Sequence, residues 1–249
     1  MPTQSVLLTG WGCPTRLLEP LAEAMREGRA GEPQLIDFHD FPLQSASAER
    51  PDYAEDMRSS LRDVESPLRL IGWSTGALIA LEFSIRYPDQ VSELILMSAT
   101  ARFTATTDYP AGVPTEQVDQ LAAAIASDVD RERGLMRFMA QAALPRRLDR
   151  ATLRQRIAAA LSLKPEALLA GFQYLRSTDL REGVAAIRCP VRIWHGAADA
   201  VIPVAAAEWL ARHVPNADLH VEPEAGHDGP LQDVVKMAKW AEEGLGARH

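Results

Sequence analysis

Gly72-Trp73-Ser74-Thr75-Gly76 is the stretch of this sequence whose residue types and spacing most directly imply chemistry. It follows the apolar run Leu68-Arg69-Leu70-Ile71 and opens a helical pattern, so the serine stands on a strand-to-helix turn. Small neighbours let the backbone pack closely around such a turn, and the helix N-terminus behind Ser74 offers N–H groups to developing negative charge. A serine hydroxyl is a poor nucleophile at neutral pH and needs a base. Among the six histidines the candidate is His227, which follows Ala225-Gly226 in a loop between the last strand-like run and the last helical one. Asp199 is the candidate acid: Trp194-His195-Gly196-Ala197-Ala198-Asp199 runs off the fifth strand-like segment, which gives the chain order serine, acid, histidine. Its carboxylate would fix the imidazole tautomer and stabilise the imidazolium. Two backbone donors are needed for the oxyanion, and the N–H groups of Thr75 and of Trp11, in the loop Thr9-Gly10-Trp11-Gly12, are expected to supply them. The indoles of Trp11 and Trp73 are expected to line an apolar pocket. This chemistry requires no metal and no organic cofactor.

The remaining histidines and acids are assigned quieter roles. His195, at a strand end beside Gly196, is expected to be a packing residue. His213 and His220 read as surface or strand positions, His39 as a loop residue and His249 as terminal. Asp228 adjoins His227 but opens a helix, where an acid is favoured by the helix dipole, so it is expected to cap that helix. Cys13 and Cys189 show no metal-ligand spacing and are expected to be reduced, structural thiols.

The elements that must position these residues follow from periodicity. Short apolar runs at residues 6–8, 34–36, 68–71, 94–97, 191–194 and 219–221 read as strands covered on both faces. Helical patterns at about 15–28, 52–64, 75–87, 204–213 and 229–244 lie between and after them. Alternation of this kind predicts an α/β fold with a mostly parallel central sheet of about six strands, flanked by helices. It breaks between 102 and 182, where helical patterns near 115–127, 131–143, 149–161 and 165–173 occur with no strand. That insertion is expected to be a helical cap over the sheet's C-terminal edge, where ligands bind in such folds. The expected organisation is therefore a core formed by residues 1–101 and 183–249, with residues 102–182 as cap.

Composition bounds the function. The 249 residues carry a formal charge of −8, which argues against general nucleic-acid binding. No apolar run approaches the roughly 18 residues of a membrane span, and the N-terminus lacks signal-peptide character, so a cytoplasmic protein is expected. The charge is unevenly spread. Residues 131–156 hold eight arginines against Glu132 and Asp149, a net +6, so the rest of the chain is −14.

Taken together, these residues resemble the α/β-hydrolase family over nearly the full length of the chain. The resemblance is strongest to the carboxylesterases that act on pimeloyl-[acyl-carrier protein] methyl ester in biotin synthesis. It is carried by Leu8-Thr9-Gly10-Trp11-Gly12, by Gly72-Trp73-Ser74-Thr75-Gly76, by the run from Tyr87-Pro88 to Ser98-Ala99, and by Ser177-Thr178-Asp179-Leu180-Arg181. The family usually reads His-Gly-Trp-Gly in the first of these, where this chain has Thr9. The chain also starts at the first central strand, which implies a smaller sheet than is usual in the superfamily. The resemblance implies a serine carboxylesterase working through an acyl-enzyme. It also gives the arginine-rich segment a meaning, since Arg137, Arg150 and Arg154 on the cap would dock an acidic acyl-carrier protein by attraction and carboxylate pairing. A thioesterase or small-molecule esterase would use the same triad, and a ligand-binding receptor would keep the fold with little turnover.

Overall fold

The computed structural model describes residues 4–26, 28, 31–42 and 50–243; His249 and the first three residues, on which part of the N-terminal reading rests, lie outside them. Six strands, β1 (Ser5–Leu8), β2 (Gln34–Ile36), β3 (Leu68–Trp73), β4 (Val91–Met97), β5 (Val191–Gly196) and β6 (Ala217–Glu222), form one sheet. Its order is β2-β1-β3-β4-β5-β6 and every neighbouring pair is parallel. Alternate side chains of a strand face opposite sides of a sheet. Val6, Leu8, Leu70, Leu94, Leu96 and Ile193 accordingly enter one core, and Leu7, Ile71, Ile95, Met97 and Trp194 the other. Both faces are covered by helices, which is why the strands read as continuous apolar runs rather than as alternating ones.

Helices α1 (Glu19–Met25) and α10 (Val234–Glu243) pack on the second core through Leu21, Met25, Met237 and Ala241. Helices α2 (Tyr53–Ser60), α3 (Thr75–Arg86) and α8 (Val204–His213) cover the first. Between β4 and β5 the chain forms α4 (Thr115–Ala126), α5 (Arg131–Ala142), α6 (Arg150–Leu161) and α7 (Pro165–Ser177). Pro165 occupies the first turn of α7, where no N–H is required. The helix runs to Ser177, four residues past the end its periodicity suggested. The pattern at 229–244 is two helices, α9 (Gly229–Gln232) and α10, interrupted at Asp233, which leaves helical geometry with φ −140°.

The two connections that lead into and out of the α4–α7 segment are tied together. Arg102 and Asp179 form an antiparallel bridge and a 2.5 Å ion pair, and Arg181 reaches both Asp179 and Asp108 at 2.8 Å. Asp179 is held at a pKa of about 2 by Arg181 and Arg102. This is the structural content of Ser177-Thr178-Asp179-Leu180-Arg181. Among the described residues no helix is long and apolar enough to cross a membrane.

Candidate active site

The chain reverses direction across the sheet between β1 and β3, because β2 lies on one side of β1 and all later strands on the other. Such a switch point leaves a crevice at the strands' C-terminal ends. The loop after β1 and the turn after β3 meet there. Gly76 must be glycine because a Cβ would lie 2.5 Å from the Thr9 carbonyl oxygen, and one at Gly72 would lie 2.5 Å from the Ala77 Cα. Ser74 itself has φ 57° and ψ −118°, a strained conformation that lifts its side chain away from both strand and helix.

Ser74 Oγ lies 2.9 Å from His227 Nε2, and His227 Nδ1 lies 2.9 Å from Asp199 Oδ2. The imidazole thus holds its proton on Nδ1, donating to the carboxylate, and presents Nε2 to the hydroxyl. The other carboxylate oxygen of Asp199 accepts the N–H groups of Val201 and Ile202, each at 2.8 Å. Burial by itself would push the Asp199 pKa up; His227, their hydrogen bond, His195 and the Ile202 N–H outweigh it and hold the carboxyl below its ordinary value. The His227 backbone is fixed as well: its carbonyl accepts the Trp73 indole N–H and the Ser98 hydroxyl, both at 2.9 Å.

Gly10 to Cys13 is a tight turn closed by Cys13 N–H to the Gly10 carbonyl at 3.2 Å, with Gly12 at φ 67°. Among the described residues no group takes up the Trp11 N–H or the Thr75 N–H, so both are free to donate. The Trp11 indole donates to the Leu168 carbonyl on α7 at 2.9 Å, meets Phe138 edge-on and packs at a tilt against Phe172. Helices α4, α5 and α7 close an uncharged cavity over Ser74, lined by Phe103, Val118, Leu121, Phe138, Phe172 and Leu175 among others. Trp11 lines this cavity. Trp73 lines a smaller one on the His227 side and spends its indole on the His227 carbonyl.

The helical segment is clasped to the two loops that carry Asp199 and His227. Gln141 donates to the Ala200 carbonyl at 2.6 Å, and Asp228 N–H to the Ala142 carbonyl at 3.1 Å. Arg156 on α6 pairs with the Asp228 carboxylate, 12% and 1% of the respective side chains being exposed. Asp228 therefore stands at the N-cap position of α9, as expected, without using its carboxylate to cap the helix. It makes no capping bond and instead accepts from Arg156 and Gln232. Burial raises its pKa, with Arg156 opposing. Removing one partner of such a pair strands the other. Arg156→Met is expected to cost about 3 kcal/mol by urea unfolding. The loss should be smaller at pH 5 than at pH 8, because a stranded buried carboxyl is relieved by protonation. A loss equal at both pH values would contradict a stranded charge.

The other residues fall as follows. His195 is buried, with Nε2 2.9 Å from the Ile202 carbonyl and 3.4 Å from Asp199 Oδ2, so it packs against the acid's own loop. His213 is exposed at the end of α8 and His220 is half-buried on β6. His39 is not a simple loop residue: it is buried in a short 3-10 turn, at Asp37 and behind the Gly12 N–H. Cys13 and Cys189 are free, buried thiols whose pKa burial raises, that of Cys189 to about 11. Sequence reasoning missed Ser98, Gln141, Asp37 and Arg156. Only Asp37 carried a signal, as a lone acid at a strand's C-terminal end.

A sequence model of the serine aminopeptidase S33 family matches residues 46–230. The pimeloyl-[acyl-carrier protein] methyl ester esterase of Aromatoleum aromaticum is 32% identical over 231 residues, covering 89% of this chain and 90% of that protein. The enzyme of the same name from Chromobacterium violaceum is 30% identical over 225 residues, covering 89% and 86%. The structure of an esterase from Exiguobacterium antarcticum superposes with a TM-score of 0.86 at 23% identity, over 99% of this chain and 94% of that one. The chain belongs to the α/β-hydrolase family. Its place within that family is among the carboxylic ester hydrolases.

Proposed function

We propose that this protein cleaves a methyl ester of a carrier-bound acyl chain, pimeloyl-[acyl-carrier protein] methyl ester, through an acyl-Ser74 intermediate. The observation that carries the reading is the Ser74–His227–Asp199 hydrogen-bond chain beneath an uncharged cavity. Ser74 Oγ attacks the ester carbonyl as His227 takes its proton, and the Trp11 and Thr75 N–H groups receive the oxyanion. Collapse of the tetrahedral intermediate expels methanol, which takes the proton from His227. A water deprotonated by His227 then cleaves the acyl-serine and releases the acid.

The cavity favours a neutral acyl chain. Among the described residues its lining holds no acid to pair with the α-ammonium of a peptide, as an aminopeptidase requires. A pimeloyl group has a carboxyl at each end, so an ester at Ser74 leaves the far end to reach out to its carrier. A groove between α4 and α5 supplies such a route. It shares Gln117, Leu121, Phe138 and Gln141 with the cavity and is flanked by Arg137. On this reading residues 102–182 are a cap over the site. A kinetic panel of the carrier-bound methyl ester, the matching thioester and a short free ester tests it. Rescue of a biotin auxotroph tests it in the cell. A clear preference for the thioester would favour the thioesterase alternative, and no turnover of any ester would leave the receptor.

Six of the eight arginines at 131–156 fall into two groups of three. Arg131, Arg133 and Arg156 are paired with Asp128, Asp130 and Asp228. Arg137, Arg150 and Arg154 are exposed and make no ion pair among the described residues. Reversing charge at these three is expected to lower kcat/KM on carrier-bound ester about tenfold or more, while a small neutral ester is cleaved at the parental rate. The gap between parent and variant should narrow as salt rises, since exposed charges are screened over about 10 Å at 0.1 M. Equal loss on both substrates would mean that the arginines support the helices rather than a partner.

A further inference from the structure

We propose that His39, held by Asp37, is the positioning residue of the oxyanion turn. This rests on the reading that the Trp11 N–H receives the oxyanion.

His39 Nε2 accepts the Gly12 N–H at 3.2 Å, so that nitrogen carries a lone pair and the ring is neutral. Its proton sits on Nδ1, which donates to Asp37 Oδ1 at 2.6 Å. The same oxygen accepts the His39 N–H at 3.0 Å and the Thr9 hydroxyl at 3.3 Å. Thr9 stands where the family usually has histidine, and here it is wired to the carboxylate that holds a histidine from the neighbouring strand's loop. The His39 and Asp37 side chains are 0% and 5% exposed, and the imidazole stacks on Phe38. Water therefore cannot readily replace either bond.

The consequence lies in the turn. The Trp11–Gly12 peptide is its central unit, and a turn of this shape can flip that unit with modest change elsewhere. An acceptor at His39 Nε2 admits only the orientation with the Gly12 N–H facing it. A flipped unit would set the Trp11 carbonyl oxygen against the imidazole lone pair and leave the Gly12 N–H buried without a partner. The ring's tautomer is decided in turn by Asp37, just as Asp199 decides that of His227. One aspartate–histidine pair presents a lone pair to the Ser74 hydroxyl; the other presents a lone pair to the turn that carries the Trp11 N–H.

Three variants test this in the full chain, with p-nitrophenyl butyrate as substrate and n-butylboronic acid as tetrahedral analogue. His39→Leu removes the acceptor and is expected to lower kcat about tenfold to a hundredfold with KM within about twofold. Its boronate affinity should weaken by the factor by which kcat/KM falls. His39→Gln places a carbonyl oxygen near the Nε2 position and is expected to stay within about threefold of the parent. Asp37→Ala removes the oxygen on which the Nδ1–H, the His39 N–H and the Thr9 hydroxyl converge, so the ring proton is no longer held on Nδ1 and the variant should resemble His39→Leu. Near-parental kcat in His39→Leu, or a loss that His39→Gln shares in full at a parental thermal midpoint, overturns the proposal. If His39→Leu does not fold, the contrast between His39→Gln and Asp37→Ala decides, and near-parental kcat in Asp37→Ala overturns it. Ser74→Ala run alongside separates the two levels. Turnover that survives there fells the reading of the site and this inference with it, whereas turnover lost there but kept in His39→Leu fells the inference alone.

Discussion

Ser74→Ala is expected to abolish ester hydrolysis while the protein stays folded, with kcat falling on the order of 10⁶-fold. The substitution removes one oxygen. It keeps the Cβ, so the strained φ of 57° at residue 74 costs an alanine no more than it costs the serine. The Oγ contact with His227 Nε2 is lost, but that imidazole remains held by Asp199 and by the two bonds to its carbonyl. Whatever rate remains would come from the free N–H groups and the cavity acting on water attack. The check is p-nitrophenyl ester turnover together with a thermal midpoint, and loss of fluorophosphonate labelling confirms the reactive atom. Near-parental hydrolysis by this variant would remove Ser74 from the mechanism.

Asp199→Asn is expected to cost about 10⁴-fold in kcat, because the imidazole would adopt the wrong tautomer. An asparagine can still accept the Val201 and Ile202 N–H groups through its oxygen, so the loop should keep its shape. Its amide nitrogen would then face His227 Nδ1 as a donor and drive the ring proton onto Nε2, against the serine. The native carboxyl, held below its ordinary pKa, is ionised throughout the neutral range. Its contribution to stability is present there and is lost only as pH falls through that lowered value. Asp228→Asn is the control. That carboxylate faces Arg156 and Gln232, so its loss should appear in stability more than in turnover. A large loss of kcat from Asp228→Asn with a small one from Asp199→Asn would exchange the two roles.

The sequence by itself determined the architecture and singled out Ser74, Asp199 and His227, which the fold joins in one hydrogen-bond chain, because those signals are local. Strands covered on both faces must be apolar throughout, so Val6-Leu7-Leu8 and Leu94-Ile95-Leu96-Met97 read as strands without knowledge of their neighbours. The strand–Gly-x-Ser-x-Gly–helix turn is a steric device confined to a few residues, which makes Ser74 legible. Asp199 and His227 followed from their places after the fifth and sixth strands.

What the tertiary structure decided depends on residues far apart in the chain. Asp228 looked like a helix cap because the only charge visible from its own segment was the helix dipole; Arg156, 72 residues earlier, outcompetes it. Arg156 in turn looked like one of eight surface cations, and its burial against the His227 loop could not be read from a run of arginines. Trp73 faces away from the larger cavity because alternation along β3 sends it with Ile71 to the other side of the sheet. His39 was passed over as a loop residue. Its partner Gly12 lies 27 positions away on another strand's loop, and only the parallel pairing of β1 with β2 brings the two within 3.2 Å. Sequence marks a group whose function requires a local backbone shape, whereas a buried polar group acquires its role from whichever distant partner satisfies it.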